Sequence, residues 1–311
     1  MTPPDVPSLV SAAVQVVGGL LLAPLLPGLV QHLKARLQGR RGPSPLQPYR
    51  ELRRLWGKST VTVEGTSAVY RIAPALSAAA LVTAVLLVPV TAGATGLGLG
   101  HDALALAGLL ALARFAVAAA AWDTANGFAL MGAARDLMIA VFVEITLVLA
   151  LAVAAITARS TDLAVMIAGT AAGAPWSAPV LALGAAAFAV VAVAETGRQP
   201  VDNPDTHLEL TMIHEGPLLE YAGRDLAYLQ WAAAARHWVV LVIGAQVFLP
   251  HGRGVAAQLA GLPVALAASC AGLAVLETMV AKMRILRVPR LLATGALVAG
   301  LGIGVAMAGL S

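Results

Sequence analysis

Cysteine is almost absent from this 311-residue chain, which has a single one, Cys270. Without a second cysteine, the chain can form neither an internal disulfide nor a cysteine-ligated iron–sulfur cluster of its own. Charge is scarce as well: Asp, Glu, Lys and Arg make up 12% of the residues, whereas hydrophobic residues make up 59%. This balance excludes an ordinary soluble globular protein and indicates a chain that crosses a membrane several times.

The hydrophobic residues form continuous runs without the alternation that a transmembrane barrel strand shows. Because lipid accommodates only helices and closed barrels, we predict an all-α polytopic membrane protein with a single membrane domain over residues 1–311. Eight runs approach the length of a membrane-spanning helix, at about 9–30, 72–92, 103–121, 137–157, 177–194, 232–249, 257–277 and 291–309. We therefore predict about eight transmembrane helices.

Basic residues fall mainly on one side of this arrangement. If both termini lie outside, 17 of the 20 Lys and Arg residues are in inner segments, and the outer loops hold only Arg159 and Arg253. The positive-inside rule then predicts both termini outside and two long cytoplasmic loops. One loop, at 31–71, is basic, and the other, at 195–231, is acidic.

The basic loop contains a predicted amphipathic helix. Gly39, Gly42, Pro43 and Pro45 interrupt helix, and Pro48 can begin a new one. Hydrophobic residues then recur at helical spacing with three arginines between them; they are Leu46, Tyr49, Leu52, Leu55 and Trp56. Such a helix suits the inner membrane interface. Lipid anchoring and docking of a partner both remain open as its role.

The third and fourth predicted spans each contain one ionisable residue, Arg114 and Glu144. At about 1.5 Å per residue, both lie roughly 10 Å from the inner boundary, so an ion pair is compatible with their depth. A lone charge in the membrane costs at least about 2.5–3.5 kcal/mol, so each needs a partner or a water cavity. Two interpretations stay open: a structural pair, or a carboxylate on a proton path.

The acidic loop begins with Glu195 and contains two of the six histidines, His207 and His214. We predict a short helix over 206–215, with Asp205 as its N-cap and both histidines on one face. The histidine spacing lacks the paired ligands four residues apart that helical zinc sites use, so we expect no metal. Hydrophobic residues throughout the loop disfavour a solvated connector and favour a protein-lined vestibule or a cover of soluble subunits.

Other function classes find little support in the sequence. No nucleophile elbow accompanies a Ser-His-Asp set, and no glycine-rich phosphate loop is present. A free-standing ion or solute carrier remains an alternative, but we see no inverted internal repeat of the kind that marks many secondary transporters.

Two segments resemble those of a known family, and the length and eight-span plan of the chain agree with that family from end to end. GRQPVDNPDTHLELTMIHE (197–215) is similar to the signature of the membrane anchor subunit of group 4 membrane-bound nickel–iron hydrogenases of the formate hydrogenlyase type. That subunit is related to subunit 1 of respiratory complex I, the NADH-quinone oxidoreductase. QGRRGPSPLQPYRELRRLWGK (38–58) resembles the first cytoplasmic loop of the same family.

The resemblance implies a non-catalytic subunit in the cytoplasmic (inner) membrane that couples electron transfer in a hydrogenase-like module to ion translocation. It implies no cofactor bound by this chain, with nickel–iron and iron–sulfur centres in the partner subunits. The implied partners are large and small hydrogenase-like subunits on the cytoplasmic face and antiporter-like subunits in the membrane. The implied alternative is the quinone-chamber subunit of a complex I-like enzyme. Complex I relatives typically carry Asn at the position of Gly197, and this departure favours a hydrogenase-type partner.

The resemblance also assigns roles to residues. The implied proton path consists of Glu144, Glu195, Asp202, Glu209, Glu215 and Glu220. Arg114 and Arg198 are the expected charge partners of these carboxylates. The implied docking residues are Arg40, Arg41, Pro43, Pro48, Tyr49, Arg50, His207 and His214.

Overall fold

The computed structural model describes residues 15–90, 100–171, 179–203, 212–250, 252 and 254–309. Over these residues the regular structure is helical, with no strand. The α-helices in chain order are α1 Gln15–Leu22, α2 Leu25–Leu37, α3 Gln47–Trp56, α4 Ala68–Leu87, α5 Asp102–Asp123, α6 Gly127–Ala158, α7 Leu163–Ala171, α8 Pro179–Glu195, α9 Gly223–Ile243, α10 Val255–Met279 and α11 Val288–Met307. The prediction of an all-α protein is confirmed for the described residues.

Within the described ranges, six helices are long and hydrophobic enough to cross a membrane: α4, α5, α6, α9, α10 and α11. They coincide with six of the eight predicted runs. A seventh crossing results if α1 and α2, which meet at 44°, are one bent span. The remaining predicted run, 177–194, overlaps α8, which is hydrophobic but has only 17 residues. Eight crossings therefore stay a prediction.

Helix α6 begins ten residues before the span predicted from its hydrophobicity. The Asn126 side chain caps it by accepting hydrogen bonds from the backbone N–H groups of Phe128 (2.8 Å) and Ala129 (3.3 Å). Such a cap satisfies N–H groups that have no partner inside the helix. As a result Arg135 and Asp136, which the hydrophobic pattern left in a loop, lie within α6.

The bundle packs tightly because small residues line its contacts. Helix α5 packs between α4 and α6, α8 and α11 pack on α6, and α2 packs on α10. Gly132 of α6 touches Gly216, in the 3-10 turn Gly216–Leu218 that precedes α9: a Cβ on Gly132 would lie 2.8 Å from the Gly216 Cα. That contact brings the segment before α9 directly onto α6.

The two long loops meet at one end of the bundle, which we call the loop end. The rings of Tyr70 and Tyr221 stack with centroids 4.4 Å apart, and the Trp56 ring meets Tyr228 edge-on at 5.1 Å. The predicted helix in the basic loop is confirmed as α3, while its position at a membrane interface stays a prediction. Residues 204–211 lie outside the described residues, so most of the helix predicted over 206–215 is not described. Its last residues, 212–215, are not helical, because Gly216–Leu218 turns the chain toward α9.

Candidate functional site

A cavity of about 600 Å³ lies at the loop end, between α2, α3, α4, α5, α6, α8 and α9. Leucines and prolines form much of its wall, including Pro24, Pro48, Leu52 and Leu229. Its ionisable lining residues are Glu51, Arg114, Asp136, Glu195, Arg198, Asp202, His214, Glu215, Arg236 and His237. A cavity of this size with convergent polar groups has the usual character of a functional site.

Four of these residues form an ionic group that we call the Glu195 cluster. Glu195, the last residue of α8, has 1% of its side chain exposed, and its Oε2 lies 2.9 Å from Arg114 Nη2 and 2.7 Å from Arg236 Nη1. Arg236 also donates to the Leu110 carbonyl at 2.9 Å. Asp136 completes the cluster, with its Oδ1 3.8 Å from Arg114 Nε. Two arginines on one carboxylate leave an excess of positive charge that Asp136 offsets.

Glu144 stands apart from this cluster. It is half-buried on α6, two turns beyond Asp136, beside the exposed Ile145. The pair that the sequence allowed between Arg114 and Glu144 is not formed: within 4 Å, the described carboxylates at Arg114 are Glu195 and Asp136. Glu144 remains within electrostatic range of Arg114. Its position places it between the Glu195 cluster and the lateral surface of the bundle.

Asp202, which also lines the cavity, contacts two cationic groups. Its Oδ1 lies 2.7 Å from Lys282 Nζ, and its Oδ2 lies 3.0 Å from His214 Nδ1. Burial alone would raise the pKa of the Asp202 carboxyl, but the hydrogen bonds and charges of His214 and Lys282 hold that pKa well below its usual range. Asp202 is therefore an anion at neutral pH.

The pKa of His214 is shifted in the opposite direction from that of Asp202. Burial alone would lower the pKa of its imidazole, but the hydrogen bond to Asp202 and the charges of Asp136 and Asp202 raise that pKa above its ordinary value. A positive charge on His214 would face Asp202 through Nδ1 and Asp136 through Nε2, which lies 3.7 Å from Asp136 Oδ1. We predicted His214 as a docking residue; its ring lies against the cavity instead of being fully exposed.

A second buried ionic group, the Glu277 cluster, was absent from the sequence-based prediction. Glu277 of α10 is fully buried, with Oε2 3.1 Å from Lys34 Nζ and Oε1 3.2 Å from Arg198 Nη1. Lys34 comes from α2, and Arg198 comes from the turn after α8. Arg198, predicted as a charge partner, thus pairs with a carboxylate outside the predicted set. A glutamate closing an otherwise uncharged hydrophobic run was the signal in the sequence.

The remaining predicted carboxylates are dispersed. Glu215 lines the cavity. Glu220 does not: its carboxylate accepts a hydrogen bond from the Asn126 side chain, and its backbone carbonyl accepts one from the Tyr70 hydroxyl at 2.8 Å. Glu209 and His207 lie outside the described residues. The proposed roles of all of these residues stay predictions.

The predicted docking residues in the basic loop fall into two groups. Arg40, Arg41 and Arg50 are exposed at the loop end. Pro48 lines the cavity, and the Tyr49 hydroxyl donates to the Leu21 carbonyl. The Pro43 carbonyl lies 2.8 Å from His32 Nδ1, which holds the loop against α2. The exposed arginines remain accessible to a partner, and the others position the loop.

Metal ligation finds no support in the described part of the chain, where no group of three or more His, Cys, Asp or Glu side chains could hold an ion. Glu195 and Asp202 instead contact arginine, lysine or histidine. The fold and the cavity together define a polytopic membrane protein with buried ionic groups beneath two loops.

Comparison with known proteins identifies the family. A profile described as NADH dehydrogenase matches residues 10–308. Formate hydrogenlyase subunit 4 of Escherichia coli (strain K12) is 35% identical over 280 residues, covering 87% of this chain and 89% of that protein. Hydrogenase-4 component C of the same organism is 34% identical over 254 residues, covering 81% and 78%. The chain belongs to the NADH dehydrogenase family, and its resemblance to hydrogenase membrane subunits is confirmed.

A solved structure supports the same fold. A chain of the membrane-bound sulfane sulfur reductase, an archaeal respiratory membrane complex, superimposes with a TM-score of 0.84. The match covers 97% of this chain and 100% of that chain at 20% sequence identity. At that identity the likeness establishes a shared helical fold.

Proposed function

We propose that this chain anchors a hydrogenase-like redox module to the membrane and couples electron transfer in that module to the translocation of protons or other ions. The observation that carries the proposal is the cavity at the loop end, where the Glu195 cluster meets the Asp202–His214 pair. Ionisable groups buried at membrane depth are expensive and commonly mark ion pathways. The relatives' names describe them as a subunit of formate hydrogenlyase and a component of hydrogenase-4.

The ion path in this proposal runs from the cavity to the side of the bundle. A charge change in a subunit seated over the loops alters the protonation of the cavity carboxylates, because a nearby charge shifts a pKa. Asp202, Glu209, Glu215 and Glu220 are the path members in the acidic loop. Glu195 transmits the change through Arg114, and Glu144 passes the proton to an antiporter-like neighbour at the exposed face of α6.

Docking in this proposal uses the basic loop 31–71 and the acidic loop 195–231. Large and small hydrogenase-like subunits cover the loop end on the cytoplasmic side and carry nickel–iron and iron–sulfur centres. Exposed Arg40, Arg41 and Arg50 provide charge for that contact, and His207 and His214 are the docking residues that we propose in the acidic loop. The chain crosses the inner membrane eight times with both termini outside, and α3 lies along the inner interface, its arginines directed to lipid headgroups or to the partner.

The test uses the intact complex, purified through a tag on this chain and reconstituted in liposomes. Glu144→Gln and Glu195→Gln should leave assembly and electron transfer in place while abolishing ion uptake. Glu64→Gln, at an exposed position in the basic loop, is the matched control and should behave as wild type. Full coupling in both variants would contradict the proposal, as would the absence of any hydrogenase-like subunit from the purified complex.

A second candidate function follows from the size and lining of the cavity. About 600 Å³ of largely hydrophobic space accommodates a ligand as large as a quinone headgroup. In this alternative the chain is the quinone-chamber subunit of a complex I-like enzyme. Quinone extracted from the purified complex, together with activity that depends on added quinone, would favour the alternative over the hydrogenase-type anchor.

A further inference from the structure

The ring of His214 lies between two carboxylates that line the cavity, Asp136 and Asp202. Its Nδ1 is 3.0 Å from Asp202 Oδ2, within hydrogen-bonding distance. Its Nε2 is 3.7 Å from Asp136 Oδ1, slightly too long for a hydrogen bond. A rotation of the ring that moves Nε2 by about 0.5 Å toward Asp136 would bring this contact into hydrogen-bonding range while Nδ1 stays close to Asp202.

The two contacts of the ring differ in rigidity. Asp202 makes two hydrogen bonds with His214, because its Oδ2 also accepts from the His214 backbone N–H at 3.2 Å. Lys282 donates to the other oxygen of the same carboxylate. The turn at Gly197, with a φ of +63°, passes so close that a Cβ there would lie 3.2 Å from His214 Nδ1. The Nδ1 side of the imidazole is therefore fixed, and the tautomer with a proton on Nδ1 is favoured.

The Nε2 side is less constrained. Asp136 Oδ1 is buried and forms no hydrogen bond with the described residues, with Arg114 Nε 3.8 Å away. An unsatisfied buried carboxylate oxygen is unfavourable, so Asp136 gains by accepting a proton donor. His214 also keeps 27% of its side chain exposed and lines the cavity, so water can reach the ring.

We propose that His214 delivers protons from the cavity to Asp136, with Asp202 as the residue that positions the ring. In the step, the Nε2–H bond of the imidazolium breaks and an O–H bond forms on Asp136 Oδ1. The products are neutral imidazole, still bonded to Asp202 through Nδ1–H, and a neutral carboxyl. A hydronium ion from the cavity water then reprotonates Nε2 and is left as water. This inference rests on the proposed ion-coupling function and changes the role of His214 from docking to proton transfer.

The consequence of the step is electrostatic. Neutralising Asp136 removes a negative charge beside Arg114, whose remaining described partner is Glu195. Arg114 then interacts more strongly with Glu195 and with Glu144, which is within its electrostatic range. The protonation state of the cavity is thereby transmitted along α6 toward the lateral surface.

Charged groups face His214 from each packed element, and they set its pH range. Asp136 from α6 and Asp202 from the segment after α8 favour the imidazolium, and Arg114 from α5 opposes it. Glu195 at the end of α8 also interacts with its charge, and Lys282 reaches it through Asp202. Since the pKa of His214 is raised, delivery of protons should decline only as the pH rises above its ordinary value of about 6.5.

The experiment measures ions moved per electron transferred in the reconstituted complex between pH 6 and 9 (a range that brackets the ordinary histidine pKa of about 6.5). His214→Gln should lower this ratio at least about tenfold near neutral pH and remove its pH dependence, because general acid catalysis contributes factors of this size or more. Asp202→Asn should move the pH profile to lower pH. His101→Gln, an exposed histidine just before α5 and outside the cavity lining, should match wild type in ratio and profile.

The outcomes separate this inference from the proposed function. Wild-type ratio and pH profile in His214→Gln would overturn the relay and leave ion coupling intact. A wild-type complex that transfers electrons without moving ions would overturn both. If His214→Gln does not assemble, Asp136→Asn decides: a lost ratio with electron transfer preserved supports the relay, and an unchanged ratio overturns it.

Discussion

Two buried carboxylates in this protein are each held between two cationic side chains, but their surroundings differ. Glu195 lies between Arg114 and Arg236 at the wall of the cavity, with Asp136 close by. Glu277 lies between Lys34 and Arg198, and neither Glu277 nor Lys34 lines the cavity. The first group sets two carboxylates against two arginines at the wall of the cavity, whereas the second sets one carboxylate against two cations and joins α2 to α10. In the function proposed above, the same kind of pairing serves proton transfer in the first group and assembly in the second.

The largest loss of stability is expected from Glu277→Gln, which tests the role of the Glu277 cluster in this comparison. Removing the charge leaves Lys34 and Arg198 with 7% and 5% of their side chains exposed and without their shared anion. Breaking a buried ion pair by removing one partner typically costs about 3–5 kcal/mol. We expect a loss of thermal stability and poor assembly, measured by the melting temperature and by the yield of complex.

The control for Glu277→Gln is Glu51→Gln. Glu51 pairs with Arg54 across one turn of α3 with 37% of its side chain exposed. Such surface pairs contribute about 0–1 kcal/mol, so the control should lose little stability. Wild-type stability in Glu277→Gln would mean that the Glu277 cluster does not hold α2 and α10 together.

A smaller loss of stability is expected from Glu195→Gln. Arg114 keeps Asp136 as a partner, and Arg236 keeps its hydrogen bond to the Leu110 carbonyl. We expect the unfolding free energy to fall by about 1–3 kcal/mol, the range for a buried group left partly unsatisfied. Thermal unfolding of Glu195→Gln and Glu277→Gln under identical conditions measures the difference. A larger loss in Glu195→Gln would reverse the roles assigned to the two clusters.

The architecture was largely accessible from the sequence, because hydrophobic runs are a local signal. Six spans and α3 were predicted from periodicity and length alone. The ion pairs were not accessible in the same way: Glu277 and Lys34 are distant in the chain, and only the packing of α2 on α10 brings them together. Asp136 was overlooked because it fell just before the predicted start of the fourth span, whereas the Asn126 cap begins α6 ten residues earlier.

A more modest effect is expected where the segment before α9 touches α6. In Gly132→Ala the new Cβ would lie 2.8 Å from the backbone of Gly216, two residues after His214. We expect a loss of about 1–2 kcal/mol from this overpacking, together with weaker ion coupling, because the shifted turn moves His214 away from Asp136. Gly108→Ala is the control, since a Cβ there meets no described atom within 4 Å. Equal stability and coupling in both variants would show that the contact does not position His214.

The smallest expected effect is a pH dependence of stability that distinguishes His214, at the cavity, from the Glu277 cluster. The pKa of His214 is raised in the folded protein, so its pairing with Asp202 contributes stability that is fully present below about pH 6.5, the unfolded value, and is lost as the pH rises through the folded value. The difference in melting temperature between wild type and His214→Gln should therefore shrink from pH 6 to pH 9 (a span around that ordinary pKa). The difference between wild type and Glu277→Gln should stay constant across the same window, since no histidine takes part in the ion pairs of the Glu277 cluster. If the difference in melting temperature for His214→Gln were also constant, the imidazole would not titrate in this range. His214 would then resemble the Glu277 cluster in having no pH response.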